Sequence, residues 1–431
     1  MKKVLTGVAG SAVVAGGLFY FGSGELVANE INIQLATLQT HGFVIEDRKQ
    51  DSTGEHFVIS LADMHKFAKL IPEYEAVLLA EDKSALKEFK LGVDLTSSAS
   101  EVSVDIYPVS FPTAQLSIEE KEMMNRYISE KTLTLHLNYN SLTNNFDGSL
   151  KDIDEQIQSA IGVKLIGLAF DGNFNDDKIA LNYSLNEFKV ADDKKSIIEL
   201  SGVSSEGTYE GLNYYISNGT TDIDKVLVNI PDTLDSVAFF DTKLKVTSDV
   251  KNDLFESRLS MVTKTVDASI KNDNYTLDTF TFDYGLKNIN IEAFDKLVTA
   301  LDKENPNFKS PEVEKNIEDL LASGMVFDFY KFGIENITHN GETFKGFSIQ
   351  ANFELGNNLD IQTAETSPMQ ALSAVTMNSK IEISDEIFEK AIQDPRAMMA
   401  MMVQPKEENG YKIYDIELKD SKLEVNGLPM M

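Results

Sequence analysis

Apolar and polar residues alternate with a period of two over many stretches of this chain. Leu133, Leu135, Leu137 and Tyr139 are separated by Thr134, His136 and Asn138, while Phe347, Ile349, Ala351, Phe353 and Leu355 are separated by Ser348, Gln350, Asn352 and Glu354. Alternation of this kind sends successive side chains to opposite faces of a strand and predicts half-buried β-structure. Val102, Val104 and Ile106 repeat it, as do Leu181, Tyr183 and Leu185, then Leu244 and Val246, and finally Tyr414, Ile416 and Leu418 ahead of Leu423 and Val425. One polar face on every strand favours antiparallel pairing, because parallel strands are buried on both sides. Asp147-Gly148, Asp171-Gly172, Asn218-Gly219, Asn340-Gly341, Asn409-Gly410 and Asn426-Gly427 are expected to turn the chain between strands, since these residues tolerate positive φ.

Helical spacing interrupts the alternation in a minority of places. Ser117 and Glu120 form a capping box ahead of a helix over 118–131, and Leu150, Ile153, Ile157 and Ile161 mark an apolar helical stripe. Asn290 caps a helix over 291–301, with Phe294, Leu297, Val298 and Leu301 on one face; Ser310-Pro311 opens another that stops near Gly324. Ser384 caps a helix over 385–393, after which Pro395 opens a short methionine-rich turn. The expected fold is mainly β (α+β): an elongated, mostly antiparallel, curved β-sheet with several short covering helices. No linker composition and no fixed-period repeat divides it; the least patterned stretch, 191–221, and the polar run 303–310 are the candidate subdivisions.

The amino terminus follows neither pattern. Residues 4–21 carry no charge and follow Lys2 and Lys3. At about 1.5 Å per residue such a helix spans roughly 27 Å, close to a hydrocarbon core of about 30 Å. Val4, Leu5, Val13, Val14, Leu18, Phe19, Tyr20 and Phe21 are the expected membrane-spanning side chains, and the two lysines direct the bulk of the chain away from the cytoplasm. A cleaved signal peptide is the rival, with Gly22 and Gly24 as small residues near a cut. The organisation expected is a signal anchor over 1–24 and a β-rich ectodomain over 25–431 on the side away from the cytoplasm.

Charge and composition remove several classes of function. Sixty-nine acidic against 39 basic residues leave a formal charge of −30, which repels a phosphate backbone and makes nucleic acid an unsuitable partner. The chain has no cysteine, so disulfides, thiolate zinc sites, iron–sulfur clusters and cysteine nucleophiles are excluded. His41, His56, His65, His136 and His339 are dispersed without an H-E-x-x-H spacing, and neither a Gly-rich phosphate loop nor a G-x-S-x-G elbow occurs. Asp171 to Asp177 offers oxygen ligands at alternating positions, but its sixth residue is Asp176 and its twelfth Asn182, where a calcium loop needs Gly and Glu; a hairpin is expected instead. Met398, Met399, Met401 and Met402, with Met430 and Met431, suit adaptable packing better than a copper(I) site. No catalytic residue, metal or cofactor is assigned.

Three segments carry a resemblance. The basic start and Gly/Ala/Val-rich run of residues 2–21, Phe282-Asp283-Tyr284-Gly285-Leu286-Lys287-Asn288-Ile289-Asn290 in mid-chain, and the stretch from Gly410-Tyr411 to Lys422-Leu423-Glu424-Val425-Asn426-Gly427-Leu428-Pro429-Met430 resemble the YdgA-like proteins of Gram-negative bacteria. The likeness is not visible by eye between about 118 and 276. It implies an inner-membrane-anchored, single-pass periplasmic protein, with a homodimer among its expected states, and supplies no active site. The function expected is non-enzymatic: a binding or scaffold protein of the cell envelope that offers an apolar sheet groove to lipid or to another envelope protein. The rivals are a protein-interaction or assembly factor with a closed core, and an unrecognised hydrolase.

Overall fold

The computed structural model describes residues 31–51, 54–63, 66, 89–111, 117–156, 161–175, 177–192, 195–210, 215–230, 233, 235–271, 273–301, 310–356, 372–392 and 403–430. They are mostly strand, arranged as one large antiparallel sheet with few helices, as the alternation predicts. The chain divides into two compact units, one of Met1–Ser196 with Gly202–Glu206, the other of Ile197–Ser201 with Gly207–Met431. Among the described residues no helix is long and apolar enough to cross a membrane.

In the first unit, helix α1 (Ile31–Thr40) precedes β1 (Phe43–Gln50), β2 (Gly54–Leu61), β3 (Lys90–Ser97) and β4 (Glu101–Ser110), each antiparallel to the next. Helix α2 (Ile118–Ser129) follows, before β5 (Leu135–Asn140) and β6 (Asn145–Leu150) extend the sheet. Leu35 and Leu38 from α1 and Met123, Met124 and Tyr127 from α2 pack against Phe57, Ile59, Leu91, Val93, Ile106 and Leu137 in one buried cluster. Helix on sheet seals the apolar face here.

The stripe Leu150, Ile153, Ile161 is not helical. Leu150 ends β6, Ile153 begins β7 (Ile153–Gln156) and Ile161 begins β8 (Ile161–Ile166), while Ile157 lies outside the described residues. Branched side chains favour strands, and neighbours are at hand to pair with. β7 pairs with β8, and β10 (Lys178–Asp192) takes β8 along its second half and β9 (Ala169–Asn175) along its first. The hairpin expected around Asp171–Asp177 is present but tighter, with Asn175 paired to Lys178 and the preceding acids and amides within β9.

Asp147-Gly148 and Asp171-Gly172 lie inside β6 and β9 rather than at turns. A Cβ on Gly148 would sit 2.4 Å from Phe170 Cζ, and one on Gly172 2.3 Å from Phe146 Cζ, so these glycines make room for cross-strand rings. Asn218-Gly219 likewise lies within β12 (Ile216–Ile230). Asn340-Gly341, Asn409-Gly410 and Asn426-Gly427 do turn the chain, with positive φ at both residues of each pair.

β11 (Lys195–Glu210) is shared between the units, and β11 and β12 together fill most of the weakly patterned stretch 191–221. In the second unit β12, β13 (Asp235–Lys251), β14 (Leu254–Ile270) and β15 (Asp273–Asn290) form an antiparallel meander. It continues through β16 (Val326–His339), β17 (Glu342–Leu355), β18 (Val375–Ser384), β20 (Tyr411–Lys419) and β21 (Lys422–Val425). The short β19 (Lys406–Glu408) and β22 (Leu428–Pro429) pair with β20 and β21. Among the described residues the longest strand, β15, has 18 residues, roughly 60 Å at about 3.4 Å per residue.

Helices α3 (Ile291–Leu301), α4 (Pro311–Ala322) and α5 (Asp385–Ala391) start where their caps predict. Asn290 Oδ1 accepts from the Ala293 amide at 2.9 Å, Ser310 Oγ from Val313 at 3.3 Å and Ser384 Oγ from Ile387 at 3.3 Å. α3 and α4 cover one end of β15, where Ile289, Ala293 and Leu320 are buried, yet Phe294 and Val298 on the expected apolar face of α3 stay exposed.

A transverse line crosses six strands of the meander. The ladders omit the pairs that Asp224, Asp241, Lys264, Thr279, Glu335 and Gly346 would make, although register is continuous on either side. Asp241 and Thr279 on this line have φ of 52° and 56°. The apolar phase shifts by one residue at the same line: Phe239 before it and Leu244 after it, Val266 and Met261, Leu277 and Phe282. Regular alternation would put the two members of each pair on opposite faces. A left-handed residue interrupts that alternation where the sequence changes phase.

Candidate functional site

The second unit has two unlike sheet faces. On one, register aligns apolar residues into rows that run across the strands. Leu244, Met261, Phe282, Phe332, Ile349 and Ile381 form one row, and Phe280, Ile334, Phe347 and Ile383 lie in the next. Ring contacts join them: Phe332 meets Phe280, Phe282 and Phe347 edge-to-face at centroid distances of 6.0, 6.1 and 5.6 Å, and Phe329 meets Phe353 at 6.4 Å. Such pairs contribute about 0.5–1.5 kcal/mol each beyond area burial.

These side chains remain half-buried. Among the described residues of β12–β18, only Ala238, Val266 and Ile289 are apolar side chains that become fully buried. Neighbours in the same sheet shield each ring from the side, and at the β18 end Ile381 also packs with Phe388 of α5 and the buried Val403 and Tyr414. Val228, Ile230 and Val246 are exposed outright.

The opposite face is polar and holds a groove of about 530 Å³. Its floor is a register row, Asp328 on β16, Asn352 on β17, Asn378 on β18, Glu417 on β20 and Glu424 on β21. Tyr330 bulges from β16 between the pairs Tyr284–Phe329 and Asp283–Lys331, and its ring covers Gly285, where a Cβ would come within 3.1 Å of it. The Arg258 guanidinium lies 4.1 Å from the Tyr330 ring centroid and donates to both carboxylate oxygens of Asp283 at 2.8 and 2.7 Å. Burial works to raise the pKa of Asp328. Donation from Lys287 at 2.6 Å, Asn352 at 2.6 Å and Tyr330 at 3.2 Å outweighs it, and the carboxyl is held below the usual carboxylate range.

Two histidines of the first unit have carboxylate partners. His56 Nδ1 is 2.6 Å from Asp94 Oδ1 and His136 Nδ1 is 2.6 Å from Asp105 Oδ1, and register places Asp94 opposite Asp105. Burial tends to raise the pKa of Asp94, but hydrogen bonds from Lys131, His56 and Tyr107 bring it below its ordinary value. Ser149 is the cross-strand neighbour of His136. His41 bonds the Thr37 carbonyl one helical turn back, and His339 stacks on Tyr275 at 4.6 Å. No group of three or more His, Asp or Glu side chains among the described residues is arranged to hold a metal ion. Asn173 and Asn182, at the rejected calcium loop, bond Asn145 and Asp171 instead.

The expected membrane-spanning residues Val4, Leu5, Val13, Val14, Leu18, Phe19, Tyr20 and Phe21 lie outside the described residues, as do His65 and the methionines 398–402. The apolar row was visible strand by strand as alternation. The polar row was not, because Asp328, Asn378 and Glu417 meet only through register between strands far apart in sequence. Comparison with family models, curated proteins and solved structures finds no match to this chain.

Proposed function

We propose that the protein is a non-enzymatic binding or scaffold component of the bacterial cell envelope, of the YdgA-like kind, anchored in the inner membrane through residues 4–21 with its β-rich part on the periplasmic side. In this reading the elongated, curved meander presents its apolar face to lipid acyl chains. A single observation supports the lipid reading most: aromatic and aliphatic rows extend over β13–β18 with their side chains half-buried. Extended apolar surface of this kind is costly in water and marks a site of contact.

The test is native mass spectrometry with lipid extraction on the full chain purified in a mild detergent. Acyl chains should co-purify with the wild type and be depleted in Phe282→Asp and Phe332→Asp. A lipid-free homodimer, weakened by the same substitutions, would instead favour the assembly-factor reading.

A further inference from the structure

We propose that the groove on the polar face of β16–β21 binds a linear, uncharged oligosaccharide. The feature that points there is the row Asp328–Asn352–Asn378–Glu417–Glu424, one residue per strand. Asp328 and Asn352 are bonded to each other, and Asp328 is neutralised by Lys287. Asn378, Glu417 and Glu424, together with Gln350 beside them, have no side-chain partner among the described residues.

Glu417 and Glu424 are direct cross-strand neighbours, an arrangement of like charges that costs stability unless something between them donates hydrogen bonds. Among the described residues Lys380 is the one lysine lining the groove, and it is already paired with Glu382 at 2.7 Å, so an anion meets no free cation among them. A donor-only ligand such as a polyamine would suit the carboxylates but could not satisfy the amides, which both donate and accept. Hydroxyl groups do both. Strands are spaced about 4.8 Å apart, close to the length of one sugar ring in a linear chain. Each step along the row therefore meets the next ring with an amide or a carboxylate. This site lies on the face opposite the apolar rows and stands or falls separately from the lipid reading.

The test is isothermal titration calorimetry of the full chain, held in a detergent without a sugar headgroup, against linear hexasaccharides of α- and β-linked glucose and of N-acetylglucosamine, with spermine as a cationic comparator. At least one hexasaccharide should bind saturably. Its affinity should fall at least tenfold in Asn378→Ala and in Glu417→Gln, both exposed positions whose replacement does not lower the thermal unfolding midpoint, and be unchanged in Lys419→Ala. Absence of binding to every hexasaccharide overturns the proposal. So does binding of spermine alone, or sugar binding that Asn378→Ala and Glu417→Gln leave intact.

Discussion

β1–β6 and β12–β18 share one alternating code and use it differently. In the first region two helices bring Leu35, Leu38, Met123, Met124 and Tyr127 down on the sheet, and Phe57, Ile59, Val93 and Ile106 are almost wholly removed from water. In the second, longer strands carry larger side chains, yet Phe282, Phe332 and Phe347 stop at half-burial, with α3 and α4 covering the end of β15 and α5 packing near Ile381 on β18. Alternation makes a face apolar, and whether that face becomes a core depends on what folds back over it. The first region is held by a closed core, the second by cross-strand pairs of about 0.2–1 kcal/mol each.

The contrast breaks most directly by truncation. Phe57→Ala should destabilise the first unit by about 3–5 kcal/mol, whereas Phe332→Ala, removing a half-buried ring with its three edge-to-face contacts, should cost less, about 2 kcal/mol. Urea unfolding followed by circular dichroism measures both, and equal losses would mean the meander is sealed as tightly as the first unit. Next in size is Gly346→Ala on the transverse line, where a Cβ would lie 1.9 Å from the Ile334 carbonyl oxygen. A loss of about 1–3 kcal/mol is expected, and unchanged stability would sink the close strand approach.

Thr279→Gly should act in the opposite direction. A β-branched residue at φ 56° is strained, so relief should outweigh the added chain entropy and raise stability by about 1 kcal/mol. A lower midpoint would show that the threonine side chain contributes more than its backbone costs. The smallest effect concerns Tyr215, whose hydroxyl donates to Asp295 of α3. Burial, then that hydrogen bond and the carboxylate charge, push its pKa up to about 12. A raised folded-state pKa contributes stability that is complete below the unfolded value of about 10 and fades as pH rises through the folded value. Alkaline ultraviolet titration should therefore find one tyrosine ionising near pH 12, absent from Tyr215→Phe, and that variant should lose less stability between the two values than wild type.

Legibility followed the range of the forces involved. Alternation around Phe347 and Tyr414, and the caps at Asn290, Ser310 and Ser384, depend on residues within a turn or a strand of each other and could be read directly. Leu150, Ile153 and Ile161 misled because helical spacing over so few residues also fits two strands separated by a break, and pairing with β9 and β10 decided between them. Gly148 and Gly172 misled for a related reason: a glycine that permits a turn is also one that admits a neighbouring ring, and the rings of Phe170 and Phe146 come from other strands.

What the sequence determined by itself was the class of structure, the half-apolar character of each strand, and the exclusion of thiolate chemistry by composition. Only the tertiary structure decided which apolar faces were covered, and that Asp328, Asn352, Asn378, Glu417 and Glu424 stand in one row. Side-chain alternation is written into each strand locally, but register and layering are set by long-range pairing, where a shift of one residue exchanges the two faces and no single segment carries the answer.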